Sequence, residues 1–135
     1  MRRSTRVTAI ALIAVAACAL ALMPGCGKPS ITTMAENLVD SSAKGDFSAA
    51  TEDFDGTMKN ALPPEKLEAT WKQIQAQVGA FKSRTGTREA DEQGFKMVYV
   101  TCQFEKMSLN AKVVFDSSSK VSGLWFLPVQ PAGGK

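Results

Sequence analysis

Histidine is absent from the 135-residue sequence, and cysteine, tyrosine and tryptophan are scarce. Without an imidazole the chain has no Ser-His-Asp or Cys-His catalysis, and no zinc site that needs a histidine ligand. The three cysteines are Cys18, Cys26 and Cys102. Because the first two lie near the N-terminus, in or beside an apolar segment, Cys102 is left without a partner. A disulfide framework is therefore not expected.

The N-terminal 23 residues differ in composition from the rest of the chain. Three arginines among the first six residues precede an apolar run, Val7 to Met23, interrupted only by Thr8 and Cys18. A basic start followed by an apolar run is the layout of an export signal. The run is 17 residues long, just short of the roughly 20 that cross a bilayer as a helix, so an uncleaved anchor remains an alternative. In either case we expect the chain after residue 26 to lie on the extracytoplasmic side.

The end of this segment predicts a lipid anchor. Met23-Pro24-Gly25-Cys26 resembles a lipobox, at which bacterial lipoproteins are cleaved before the cysteine and acylated on it. The small Gly25 fits that pattern, whereas Met23 and Pro24 depart from it. The alternatives are ordinary cleavage after Ala19 or Ala21, or no cleavage. We therefore expect a lipoprotein-type signal over residues 1–25, lipidation of Cys26 and a tether over residues 26–32.

The basic character of the whole chain comes from the signal. The sequence has 16 Lys and Arg against 13 Asp and Glu, but three of the basic residues lie in the first six positions. From Cys26 onward the two signs balance, and they alternate along the chain without a basic stripe. Nucleic acid is therefore not an expected partner.

Three helices are predicted between residues 33 and 79. Thr33 and Glu36 have the spacing of a capping box, and Gly45 follows as a helix stop. Asp46 can cap a second helix that runs to about residue 55 or 59. The third helix starts at the Pro63-Pro64 pair and ends at Gly79. Its apolar face repeats at four, three and four residues and comprises Leu67, Trp71, Ile74 and Val78.

Beyond Gly79 the apolar pattern changes to alternation, which indicates strands. Turn residues divide this part into four strands at about 81–90, 95–105, 108–115 and 120–127. Short turns predict an antiparallel meander. Helices followed by strands predict an α+β fold, here one domain over residues 33–128. Residues 129–135, rich in proline and glycine, are expected to be a flexible tail.

Several phrases resemble the domain-of-unknown-function family 3887, and the similarity extends over about residues 33–128. The phrases, in chain order, are Lys44-Gly45-Asp46-Phe47, Phe54-Asp55 with Met58-Lys59, Leu62-Pro63 with Lys66-Leu67, Trp71, Gly79, Val114-Phe115-Asp116 and Val121-Ser122-Gly123-Leu124. That family looks like a member of the nuclear-transport-factor-2-like superfamily. The resemblance implies a cystatin-like cone, in which a curved four-stranded antiparallel sheet bends around three N-terminal helices.

The resemblance implies little about chemistry. The superfamily includes isomerases and dehydratases that use Asp, His or Tyr in the cone, alongside non-enzymatic binding and dimerisation modules. Domains of this family often precede an α/β-hydrolase domain, so a separately encoded hydrolase is a conceivable assembly partner. The family defines no catalytic residues, and none is carried over to this sequence.

Few side chains are candidates for chemistry. Trp71, Phe81, Tyr99 and Trp125 are candidates to line a ligand cavity in the cone, with plain core packing as the alternative. Cys102 lies among apolar strand residues, which predicts a buried and inert thiol. The acidic residues Glu52, Asp53 and Asp55 lie at a helix end and are expected to face solvent, so no metal site is predicted.

The last strand has large apolar side chains on both alternating positions. A sheet covered by helices on one side is expected to be polar on the other. We therefore predict an interface with a second copy or another protein, formed by Val114, Leu124 and Phe126. The alternative is a strand bent around the cone edge, which would bury both sets within one molecule.

Together these features predict an extracytoplasmic, membrane-tethered binding or assembly module, without catalysis and without a cofactor. The expected partners are the membrane, through the lipid anchor or an uncleaved signal, and a protein at the sheet face. The alternative function is a small-molecule-binding protein or an isomerase- or dehydratase-like enzyme that uses the cone cavity.

Overall fold

The computed structural model describes residues 28–129, which form four helices followed by four strands. The helices are α1 (Ile31–Lys44), α2 (Phe47–Ala50), α3 (Gly56–Ala61) and α4 (Pro64–Val78), and the strands are β1 (Phe81–Glu92), β2 (Phe95–Phe104), β3 (Ser108–Phe115) and β4 (Val121–Pro128). The α+β class with an antiparallel sheet is confirmed. The export signal, Cys26 and residues 130–135 lie outside the described residues.

Helix α1 begins earlier than the sequence pattern predicted. Ser30 is its N-cap and accepts a hydrogen bond from the Thr33 amide over 3.2 Å. Glu36 does not close a capping box with Thr33, because its carboxylate accepts a hydrogen bond from Thr87 of β1. Residues 31 and 32 of the expected tether are therefore helical. At the other end Gly45, with φ +83°, stops α1 as predicted.

The number of helices differs from the expected three because the second predicted helix is divided. After α2 the chain leaves the helix and pairs with the start of β4. The Asp55 amide donates to the Val121 carbonyl over 2.9 Å, and the Val121 amide donates to the Asp53 carbonyl over 2.8 Å. Phe54 is buried between these bonds, and the Asp55 side chain then caps α3. A partner almost seventy residues away thus interrupts the helix.

The strands pair in sequence order, each antiparallel to the next, as predicted. Gln93 and Gly94, both at positive φ, form the two-residue turn between β1 and β2. Strand β1 has two register shifts, near Lys82 and Thr85, and β4 has one at Ser122. Such bulges bend a strand and increase its twist.

One face of the sheet is covered by the helices and forms the core. Alternate residues of the two central strands on this face are almost fully buried: Val98, Val100, Cys102, Phe104, Leu109, Ala111, Val113 and Phe115. They pack against the apolar sides of α1 and α4. No helix within residues 28–129 is long and apolar enough to span a bilayer.

Helix α1 is fixed across β1 by polar contacts. The Arg84 guanidinium donates to both carboxylate oxygens of Asp40, over 2.7 and 3.1 Å, and lies 3.2 Å from Glu36. The hydrogen bond to Asp40 raises the pKa of Arg84. Because charge pairs replace apolar contacts here, β1 lacks the alternating apolar pattern of the central strands.

Candidate functional site

The two faces of the sheet have different surroundings. We call the face that packs on the helices the helix-side face and the opposite one the outer face. The outer face holds the residues that alternate with those packed on the helices, and Met97 and Val114 among them are nevertheless buried. The face includes Arg88, Met97, Tyr99, Asn110, Lys112, Val114, Gly123, Trp125 and Leu127. Trp125 is 51% exposed and Leu127 is 40% exposed. Large apolar side chains on this face therefore contact solvent.

The bulge in β4 explains why Val121 shares a face with Leu124 and Phe126 although the three do not follow a period of two. Val114 pairs with Gly123 and Phe115 pairs with Val121, so Ser122 is the extra residue. The shift places Val121 on the same helix-side face as Leu124 and Phe126. A simple period of two would have put Val121 on the opposite face, beside Trp125.

The predicted interface residues are consequently not brought together. Leu124 and Phe126 pack against the core cluster beneath the helices, and Val114 alone of the three lies on the outer face. They do not form one surface. The bulge at Ser122 accounts for Leu124 and Phe126 sharing a face with Val121, while Trp125 and Leu127 of the same strand stay exposed on the outer face.

The four predicted cavity residues are also divided between the faces. Trp71 contacts Phe81, Phe104 and Phe126 on the helix side, with ring centroids 5.8 Å apart in each pair. These tilted and edge-to-face contacts are typical of a packed aromatic cluster, and it occupies the space between α4 and the sheet. Tyr99 and Trp125 lie on the outer face. Within the described residues the four do not line a common cavity.

On the outer face the register aligns one residue from each strand in a row. Arg88 pairs with Tyr99, Tyr99 with Lys112, and Lys112 with Trp125. We call these four residues the cation–aromatic row. The Arg88 guanidinium carbon lies 4.6 Å from the centre of the Tyr99 ring, which is within the range of a cation–π contact. Cations and aromatic rings thus alternate across the whole sheet.

Lys112 occupies the middle of the row between two rings. Its ammonium lies 5.8 Å from the Tyr99 ring centre and 6.0 Å from the Trp125 ring centre. Its side chain is 22% exposed and lies 3.8 Å from the Glu92 carboxylate. The stem is covered by apolar neighbours while the charged end reaches the surface. This arrangement holds the ammonium in place.

The indole edge of Trp125, formed by Cζ3 and Cη2, covers the side-chain position of Gly123. A Cβ added to Gly123 would lie 2.5 Å from the indole Cη2 atom, which only the absence of a side chain permits. Beside the row is an open groove of about 490 Å³, lined by Arg88, Tyr99, Asn110, Leu127 and Pro128. The outer face therefore offers a flat ring, two cations and an amide at the edge of a groove.

Two other grooves lie where α1 begins beside the β3–β4 turn. One has a volume of about 190 Å³ and is lined by both Asp53 and Lys120. The other has a volume of about 440 Å³ and combines Lys96 with Glu89 and Asp116. Each groove mixes both signs of charge, and the first also includes Lys28.

Two side chains that the sequence singled out, Cys102 and Asp55, have structural surroundings in the part that the structure describes. Cys102 is fully buried, and burial raises the pKa of its thiol to about 12. It is therefore protonated at neutral pH and inert. Asp55 caps a helix. No group of three or more Cys, Asp or Glu side chains within residues 28–129 could hold a metal ion.

Sequence reasoning identified the rings of the row but missed the cations. Arg88 and Lys112 have the pattern of ordinary exposed strand residues. Only the strand register shows that they stand beside Tyr99 and Trp125. Arg88 pairs with Tyr99 across the two-residue turn, and the bulge at Ser122 places Trp125 opposite Lys112. Lys112 was the available signal, since it is a cation between apolar neighbours in the most regular predicted strand.

Comparison with known protein families finds one match. The model of a family described as "Protein of unknown function (DUF3887)" matches residues 35–124, about two thirds of the chain. No curated protein and no solved structure matches the sequence.

Proposed function

The chain belongs to the DUF3887 family of proteins of unknown function, and we propose that it is an extracytoplasmic, membrane-tethered binding module that performs no catalysis. The cation–aromatic row is the observation that carries this proposal. A half-exposed tryptophan beside fixed cations is the composition found at the centres of binding surfaces, where Trp, Tyr and Arg supply most of the binding energy. The outer face is the proposed binding surface.

The location rests on the N-terminal sequence. The basic start, the apolar run and Cys26 favour export and acylation. Four residues separate Cys26 from Ile31, the start of α1, so the domain would lie within roughly 20 Å of its lipid. Mass spectrometry of the mature chain tests this: we expect an acylated N-terminus at Cys26, and a Cys26→Ser variant should lack the lipid. An N-terminus at residue 20 or 22, or at Met1, would contradict lipidation.

The cone shape and the relation to the nuclear-transport-factor-2-like superfamily are part of the same proposal. The bulges of β1 and β4 support it, because bulges curve a sheet. The aromatic cluster around Trp71 fills the space beneath α4, which favours a binding module over an enzyme or carrier that uses an inner cavity.

Cysteine labelling in cells tests both the location and the binding face. Leu127→Cys places a thiol on the outer face, and Ser48→Cys places one on the exposed surface of α2. The reagent is a maleimide that does not cross the cytoplasmic membrane, applied to cells in which that membrane is intact. Cys102 gives no background, because it is fully buried.

We expect Ser48→Cys to label equally in cells and in the purified chain. Leu127→Cys should label more slowly in cells, because the bound ligand covers it. A lack of labelling at Ser48→Cys in cells would overturn the extracytoplasmic location. Equal labelling of Leu127→Cys in cells and in the purified chain would overturn the binding face.

A further inference from the structure

The chemistry of the outer face indicates which ligand it suits. Trp125 is 51% exposed on the outer face, and the Cζ3–Cη2 edge of its indole covers the side-chain position of Gly123. A flat apolar ring of this kind packs well against another flat apolar surface, since its face carries partial negative charge that attracts C–H groups. The flat side of a sugar ring, which exposes C–H groups, is such a surface.

The groove beside the cation–aromatic row can bind polar groups of a ligand that rests on Trp125. Asn110 lies in the groove beside Leu127 and Pro128. Its Oδ1 accepts a hydrogen bond from the Thr101 hydroxyl over 2.8 Å, which leaves the amide NH2 group to donate to ligand oxygens. A platform bordered by an amide fits a sugar better than a peptide, whose side chains would need pockets that alternate with the backbone.

The charges of the row favour a negatively charged ligand. Arg88 has no carboxylate within 4.0 Å among the described residues. Its guanidinium is held against Tyr99, so little freedom is lost when it binds a carboxylate or a phosphate. Lys112 has Glu92 as a distant partner, at 3.8 Å. Two fixed cations therefore face one acidic group across the row.

The spacing of the row favours a polymer. Neighbouring strands lie about 4.8 Å apart, so the backbones at Arg88 and Lys112 are roughly 10 Å apart and Trp125 lies one strand further on. A single small anion cannot contact all three side chains. A linear chain of sugars that runs across the strands can place one ring on Trp125 and acidic groups near both cations.

We propose that the cation–aromatic row binds an anionic glycan, a sugar polymer that carries carboxylate groups. This inference rests on the proposed function and names the ligand class of that same surface. Trp125 stacks on a sugar ring, and Lys112 and Arg88 pair with the carboxylates. Because the cations are at the surface, salt weakens the binding.

Titration calorimetry on the full chain in detergent tests the inference with three soluble polymers. Polygalacturonate carries both sugars and carboxylates, dextran carries sugars alone, and polyglutamate carries carboxylates on a peptide. We expect polygalacturonate to bind at least about tenfold more tightly than either of the others. Trp125→Ala, Lys112→Gln and Arg88→Gln should each weaken its binding by about tenfold.

Phe95→Ala is the matched control. Phe95 is 49% exposed on the same face but lies outside the row, so its replacement should change the affinity less than about twofold. Gly123→Ala supplies a second variant in which Trp125 is retained but displaced, and it too should bind more weakly. Circular dichroism and the emission of the buried Trp71 establish that each variant is folded.

Equal affinity for polyglutamate would overturn the inference in favour of an acidic peptide. Equal affinity for dextran would show that the cations do not contribute to binding, and would overturn it as well. Failure to bind polygalacturonate, or an equal loss in Phe95→Ala, would also overturn it. If polygalacturonate does not bind while Leu127→Cys remains protected in cells, the glycan is wrong and the binding face stands.

Discussion

Trp125 and Gly123 depend on each other. The indole ring can lie on the sheet because the residue beneath it has no side chain, and a glycine within a strand often marks such a close approach. Gly86 occupies a comparable outer-face position on β1, but a Cβ there would meet nothing within 4 Å. The two glycines therefore form a matched pair with different surroundings.

Substituting these glycines should give effects of opposite sign. Gly123→Ala should lower the free energy of unfolding by about 1 kcal/mol and shift Trp125 emission to longer wavelength, because the new methyl group displaces the ring. Gly86→Ala should leave emission unchanged and raise stability by about 0.5 kcal/mol. Urea unfolding and fluorescence measure both. Equal emission spectra for the two variants would show that the ring does not rest on Gly123.

Cys102 should make stability depend on alkaline pH. Burial raises the pKa of its thiol from 9.0 to about 12 in the folded chain, so the folded state keeps a proton that the unfolded state loses. The stabilisation is complete below pH 9 and is lost as the pH rises towards 12. Between pH 8 and pH 10 the thiol should lower the free energy of unfolding by about 1.4 kcal/mol.

The measurement for Cys102 is a pair of urea unfolding curves at pH 8 and pH 10, for the natural chain and for Cys102→Ala. The variant removes the thiol but keeps every other titrating group, so the difference between the two pH dependences isolates Cys102. If the two chains lose the same stability over this range, the thiol is not buried as the structure has it.

At the scale of elements, the single bulge in β4 determines which side chains of this strand face the helices. Ser122 shifts the register so that Val121, Leu124 and Phe126 all face the helices, while Trp125 and Leu127 face outward. Leu124 and Leu127 are thus the same residue type in one strand on opposite faces. Aspartate at the two positions should have very different effects.

Leu124→Asp should lower the free energy of unfolding by about 3 kcal/mol, because it places a charge against the core without a partner. Leu127→Asp, on the partly exposed outer face, should lower it by about 1 kcal/mol or less. Thermal melts of the two variants compare them directly. A larger loss in Leu127→Asp would mean that the bulge is misplaced and that the faces of β4 are exchanged.

Local signals predicted most elements, and distant pairing determined the rest. Gly45, Asp46 and the Pro63-Pro64 pair act through their immediate neighbours, so the helix ends that they set were predictable from sequence. The break between α2 and α3 depends on Val121, and no residue near the break encodes it. The ion pair on the helix-side face of β1 was equally unpredictable, because the partner of Arg84 is Asp40 in α1.

At the scale of the whole molecule, the two faces of one sheet have different roles. The helix-side face is filled by apolar side chains, with the Trp71 cluster beneath α4. The outer face keeps large side chains in solvent. The rings of the candidate site could be predicted from sequence, but the placement of Trp125 on the outer face could not, because it follows from the bulge at Ser122 in β4.

The two tryptophans report on the two faces, so their indole N–H signals in a nitrogen–proton correlation spectrum test the proposed binding face most directly. Trp71 is buried beneath α4, and Trp125 is half exposed on the outer face. The spectrum of the chain is recorded with and without solubilised membrane material from the cells that express it. We predict that the Trp125 signal shifts or broadens while the Trp71 signal stays in place. A change confined to Trp71, as a ligand in an inner cavity would cause, or no change in either signal, would contradict binding at the outer face.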